Sequence, residues 1–178
     1  MSFFGSTVAN IGQYDWKPLL APFTNRTGST LQKGQVAMID VLLTQSTYST
    51  SVFTGVGNLT PCVQTTAVDL GCPVVVANDQ IIDGATGLCV VAGYCEVSIL
   101  QTGASTTDIT AKNQTLSVLV SESAVAVQGT ASGKRVLGIA LEIPPTTDDT
   151  SDTRRITTNQ FRRLCLWMGG LPGFGVQT

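Results

Sequence analysis

The segment Tyr94-Cys95-Glu96-Val97-Ser98-Ile99-Leu100 decides how this chain is read. Cys95, Val97 and Ile99 alternate with Glu96 and Ser98, the period of two expected of a strand with one face on a core and the other in water. Gly93 stands just before it, where a bulge or tight turn is expected. The same pattern recurs outward in both directions. Upstream lie Leu88 to Val91, Val74 to Asn78, Thr60 to Thr66 and Gln35 to Leu43. In the last of these, Val36, Met38, Asp40 and Leu42 face one way and Ala37, Ile39, Val41 and Leu43 the other. Downstream lie Thr115 to Val120, Val125 to Val127 and Arg135 to Ile143, with Gly, Asp, Asn or Pro between runs. Short strands at such spacing predict an all-β sandwich or small barrel. No amphipathic stretch is long enough for a full helix, although Asp108 to Leu116 has room for one turn.

Composition agrees with that reading and removes several functions. The 178 residues are 43% hydrophobic but only 6% aromatic, the apolar content carried largely by Val, Ala, Leu and Ile with Thr and Ser between them. That mixture favours strands, and the length favours one domain. Ten Lys plus Arg stand against twelve Asp plus Glu, which is not the balance of a nucleic-acid binder. Histidine is absent, which excludes Ser-His-Asp and Cys-His nucleophiles and HExxH zinc sites. Ser29, Ser121 and Ser123 have no nucleophile-elbow setting, and Lys33, Lys112 and Lys134 form no recognisable base motif. A carboxylate-pair enzyme is the weakest alternative, since Asp40, Glu96, Glu122 and Glu142 show no pairing in the sequence. The expectation is a protein that is not an enzyme, with no cofactor and no metal. Asp148, Asp149 and Asp152 lack the ligand spacing of a calcium loop. Gly169 to Gly175 lacks the following helix of a phosphate cradle and reads as a Gly-rich tail.

Neither a secretory signal nor a membrane span is expected, and the chain reads as a cytosolic product. Cys62, Cys72, Cys89, Cys95 and Cys165 form no zinc spacing and read as reduced thiols. A Cys62–Cys72 bridge is the other reading, should those two flank a hairpin.

Three parts are expected. Residues 1–22 form an extended arm, 23–143 the β domain, and 144–178 an acidic loop, a basic late strand at Leu164 to Met168 and the tail. The arm holds Phe3, Phe4, Tyr14 and Trp16, four of the chain's eleven aromatic residues. They either fold back on their own domain or anchor in a neighbour, as interface hot spots do. Arg154, Arg155, Arg162 and Arg163 hold four of the ten basic residues. They either contact a partner's carboxylates or neutralise Asp148, Asp149 and Asp152 within the chain.

One resemblance is carried by particular residues. Asn25-Arg26-Thr27-Gly28 with Leu31 and Gly34, then Val74 to Asn78, Asp83-Gly84, Gly87 to Ile99, Ile109-Thr110-Ala111, and Gly133 to Glu142 with its Val136-Leu137-Gly138-Ile139-Ala140-Leu141-Glu142 strand, resemble the capsid decoration, or cement, proteins of tailed bacteriophages. The resemblance spans Thr24 to Ile143. It implies a compact β-sandwich or tulip-like barrel, assembled as homotrimers at local threefold axes on the outside of the virion. The implied partner is the major capsid protein, with no nucleic acid and no membrane, after synthesis in the bacterial cytoplasm. The longer aromatic start and the Pro144-Pro145, acidic and Arg-rich extension depart from the plainest members. A head fibre or receptor-binding, glycan-binding module is the alternative.

Overall fold

The computed structural model describes residues 17–40, 56–61, 73–103, 108–118, 123–127, 136–145 and 149–169. Among these residues every regular element is a strand: β1 (Leu19–Asn25), β2 (Val36–Ile39), β3 (Gly57–Thr60), β4 (Val74–Ala77), β5 (Thr86–Leu100), β6 (Thr115–Val118), β7 (Val125–Val127), β8 (Gly138–Ala140), β9 (Arg155–Thr157) and β10 (Gln160–Trp167). The chain is therefore all-β, and its mixed sheet closes on itself as a small barrel does. Two of the pairings are parallel, β1 with β3 and β5 with β7.

The pairings trace two rings that share β5. The first runs β1-β3-β2-β4-β5 and closes because β5 pairs antiparallel with β1. The second runs β5-β7-β6-β8-β10 and closes because β10 pairs with β5 along its whole length, Gln160 opposite Leu100 to Trp167 opposite Gly93. Among the described residues strand β9 pairs with the start of β10 alone. Closure removes most unpaired strand edges, the usual liability of a short-stranded sheet.

Two cores follow from the period of two. Phe23, Ala37, Leu59, Val75, Ala77 and Cys89, with Leu31 and Ile81, fill the first ring. Val97, Ile99, Leu116, Val125, Ala140, Cys165 and Trp167 pack in the second, and the same cluster continues onto Val36, Met38, Val74, Val76 and Val90. So β2 and β4 are apolar on both faces: one lines the first ring and the other meets the second core. Trp167 joins the two, its indole Nε1 donating to the Val74 carbonyl at 3.2 Å.

Two loops cross the first ring with matching hydrogen bonds. Leu31 and Ile81 exchange both backbone bonds at 3.0 and 2.9 Å. Gly34 N–H donates to the Ala77 carbonyl at 2.8 Å, and Gly84 N–H donates to the Asn25 carbonyl at 2.7 Å. Both glycines have positive φ, 85° and 80°, which an L side chain resists. Buried Asn25 ties the loops together: its Nδ2 donates to the Ser29 and Ile81 carbonyls at 2.7 and 2.8 Å, while Oδ1 accepts from Thr27. This two-fold echo accounts physically for two of the quoted glycine motifs.

Several strands differ from the sequence expectation. Leu88 to Val91 and Tyr94 to Leu100 are parts of one strand, β5, that passes straight through Gly93. Gly93 has φ 108°, and a Cβ there would meet Pro18 Cα at 3.0 Å and the Lys17 carbonyl at 3.1 Å. It is a pinch where the incoming chain crosses β5, not a turn. The end of the arm is itself strand, since Leu19 to Pro22 belong to β1 and pair with β5. The late strand starts earlier than expected, at Gln160, and closes the second ring between β8 and β5. Asp108 to Leu116 holds bends and a turn before β6, closed by Gln114 Oε1 accepting from Thr110 and Ala111. Gly93→Ala is expected to cost about 1–3 kcal/mol, as a residue forced into a sparsely populated backbone region does. Urea unfolding checks it, and an unchanged midpoint would show that Pro18 yields.

Candidate functional site

The four arginines of the sequence reading separate into two pairs with different surroundings. Arg163 is buried on the face of β10 that also carries Phe161, Cys165 and Trp167. Its Nη2 is bonded to Asp152 Oδ2, its Nη1 donates to the Arg162 carbonyl at 2.7 Å, and its guanidinium lies 5.8 Å from the Phe161 ring centroid. Arg154 Nη1 donates to Glu142 Oε2 at 2.6 Å. Both of these cations are held by the chain's own carboxylates, which is the neutralising reading, though Glu142 replaces the expected loop aspartates for Arg154.

The carboxylates respond accordingly. The Leu164 N–H and the Arg154 side chain hold Glu142 below the usual carboxylate range, against a smaller opposing effect of burial. Burial disfavours the charged form of Asp152, but the Arg163 guanidinium and the Arg154 N–H outweigh it and lower its pKa. Asp149 accepts from the Ser151 hydroxyl and N–H, which lowers its pKa. Asp148 lies outside the described residues.

Arg155 and Arg162 belong to a different place. With Gln32, Lys33 and Ile156 they line a cleft of about 230 Å³. Its wall is the Leu31–Gln35 turn of the first ring on one side and β9 and β10 on the other. The turn is fixed there because Ser98 N–H donates to the Gly34 carbonyl at 2.7 Å and Gln35 Nε2 donates to Gln160 Oε1 at 3.3 Å. Gly34 leaves room for the Arg162 stem, since a Cβ would stand 3.0 Å from Arg162 Cγ. Glu96 is the cleft's counter-charge, with Oε2 at 3.6 Å from Lys33 Nζ and 3.9 Å from Arg162 Nη1. The sequence offers Lys33 only as a base for a serine, and Glu96 only as a wet-face residue or one half of a carboxylate pair. Their meeting with residues about 130 and 65 positions away has no local signal.

The aromatic candidates Phe3, Phe4, Tyr14 and Trp16 lie outside the described residues, as do Cys62 and Cys72. The described cysteines are free thiols. Desolvation pushes Cys89 up to about 12, desolvation and then Glu96 push Cys95 up to about 12, and burial raises Cys165 further. Such thiols are poor nucleophiles at neutral pH. Among the described residues no group of three or more His, Cys, Asp or Glu is placed to hold a metal ion, and no helix is long and apolar enough to cross a membrane.

Thus fold and site together define a small closed all-β protein with an exposed basic cleft. No protein-family model matches the chain, and no curated protein matches it in sequence.

Proposed function

We propose that this chain is a decoration protein of a tailed-bacteriophage head, binding the outside of the shell as a trimer at local threefold axes and bridging neighbouring major capsid proteins. The observation that carries the reading is the apolar surface where the arm enters the fold. Leu19 is 61% exposed and Leu88 49% exposed, and Leu20 is also exposed beside them. Pro22 stands opposite Leu88 across the β1–β5 pair, so Leu20, Pro22 and Leu88 share its outward face. Exposed aliphatic residues in register on a closed sheet serve association better than solubility. The segment that enters this surface carries Phe3, Phe4, Tyr14 and Trp16, residue types enriched at interface cores. Repetition over a lattice then gives avidity from individually weak contacts.

The test follows from where β1 begins. Removing residues 1–22 would strip Leu19 to Pro22 from β5, so the informative deletion is 1–16. That variant is expected to keep the fold and lose decoration of expanded empty heads in co-sedimentation, with the full chain measured beside it by light scattering. Equal occupancy of the shell by both chains overturns the role of the arm. A full-length monomer that ignores heads overturns the decoration reading and favours the fibre or glycan-binding alternative.

A further inference from the structure

We propose that the cleft between the Leu31–Gln35 turn and β9–β10 is an oxyanion-binding site, with Arg162, Arg155 and Lys33 as the groups that hold the ligand. Its warrant is independent of the capsid reading. Three cations line a concave space; Asp149 acts electrostatically on Arg155, and the counter-charge facing Lys33 and Arg162 is Glu96. That counter-charge is loosely engaged. Its nearest oxygen is 3.9 Å from Arg162 Nη1, beyond a hydrogen bond, and 3.6 Å from Lys33 Nζ. Arg154 and Arg163, by contrast, make close bonds to carboxylates.

The Arg162 guanidinium has one donor without a partner among the described residues. Its Nε is buried and meets no acceptor. Closed to solvent, that Nε is out of a ligand's reach; the side chain as a whole is 24% exposed, and its terminal nitrogens form the fork that a ligand in the cleft would meet. Such a planar fork matches carboxylate and phosphate oxygens in two parallel bonds, while a lysine supplies a point charge. Gly34 makes the fork possible, because a Cβ at that position would press on the Arg162 stem. About 230 Å³ admits a carboxylate, phosphate or sulfate group with a few waters and is small for a larger polyanion. Oxyanion chemistry is common to a partner's acidic side chain and to a phosphate group, so the probes are chosen to separate them.

The full chain, labelled with ¹⁵N, is titrated with inorganic phosphate and with malonate, following Lys33, Arg155 and Arg162. A saturable shift confined to these residues is expected. Phosphate alone assigns a tetrahedral ligand; malonate, with or without phosphate, assigns a carboxylate. Lys33→Gln should weaken binding about tenfold, the loss of one charge-assisted bond. Glu96→Gln should strengthen it several-fold by removing the competing carboxylate. Lys33 is half-exposed, so its substitution leaves the fold intact where Arg162→Gln disturbs packing. Lys112→Gln, exposed in the turn before β6, should change nothing. No saturable shift with either anion, or equal shifts in the Lys33→Gln protein, overturns the proposal.

Discussion

Trp167→Ala is expected to lower the unfolding free energy by about 3–5 kcal/mol, the range for truncating a large buried aromatic. The reason is position as much as size. Trp167 is opposite Gly93 in β5 and Gly138 in β8, and its indole occupies space that Gly138 leaves beside it. A Cβ on Gly138 would already stand 3.2 Å from Trp167 Cε3. The Nε1 bond to the Val74 carbonyl adds a link from the second ring to the first. Truncation leaves a cavity at the junction and a carbonyl without its donor. Urea unfolding read by circular dichroism checks the value, and Trp167→Phe should cost less because it keeps most of the volume. A loss below about 1 kcal/mol, smaller than one net hydrogen bond, would mean that the rings do not share a core.

Asp152→Ala should cost nearly as much, about 3–5 kcal/mol, because it leaves a buried guanidinium unpaired. The Arg163 side chain is 5% exposed and that of Asp152 14%, so water does little to replace the lost carboxylate. Removing both charges with Asp152→Ala and Arg163→Met should recover much of the loss, since burying the pair also carries a desolvation penalty. The pH dependence has a definite sign. The folded pKa of Asp152 is below its unfolded value of about 3.9, so its stabilisation is present above that value and is lost as pH falls through the folded pKa. Glu142 acts in the same direction. Acid unfolding of the double variant should therefore be shallower than that of the wild type, by the part belonging to Asp152. Identical acid profiles would show that Arg163 and Asp152 are not coupled.

Strand positions were legible where both faces of the pattern spoke. Val74 to Ala77 and Val125 to Val127 were read almost to the residue, and Val36 to Ile39 was read with its two faces. The alternation of Val97 and Ile99 with Glu96 marked the shared strand, although Ser98 is buried because Gly34 and Gln160 lie over it. Gly93 suits a bulge or a tight turn in the sequence; the strand runs on through it, so the turn is absent, while the β1–β5 register shifts beside it at Leu19/Leu20. The start of β1 was missed because Leu19 to Pro22 contains a proline and two leucines without alternation, and those residues are held by β5 rather than by a pattern of their own.

The candidate site shows the same division more sharply. Composition alone, with no histidine and few charges, made imidazole chemistry impossible and placed weight on the arginines. Their adjacency in sequence hid their difference. Arg162 and Arg163 are neighbours, and a strand sends neighbouring side chains to opposite faces, so one enters the second ring beside Asp152 and the other lies over Gly34 in the cleft. By itself, then, the sequence determined the all-β class, most strand positions and the residue types available for binding, because a period of two and a missing side-chain chemistry are local facts. Ring closure, the joined cores and the meeting of Lys33, Glu96, Arg155 and Arg162 were decided by the tertiary structure, because they depend on registers between strands far apart in the chain, which no local pattern encodes.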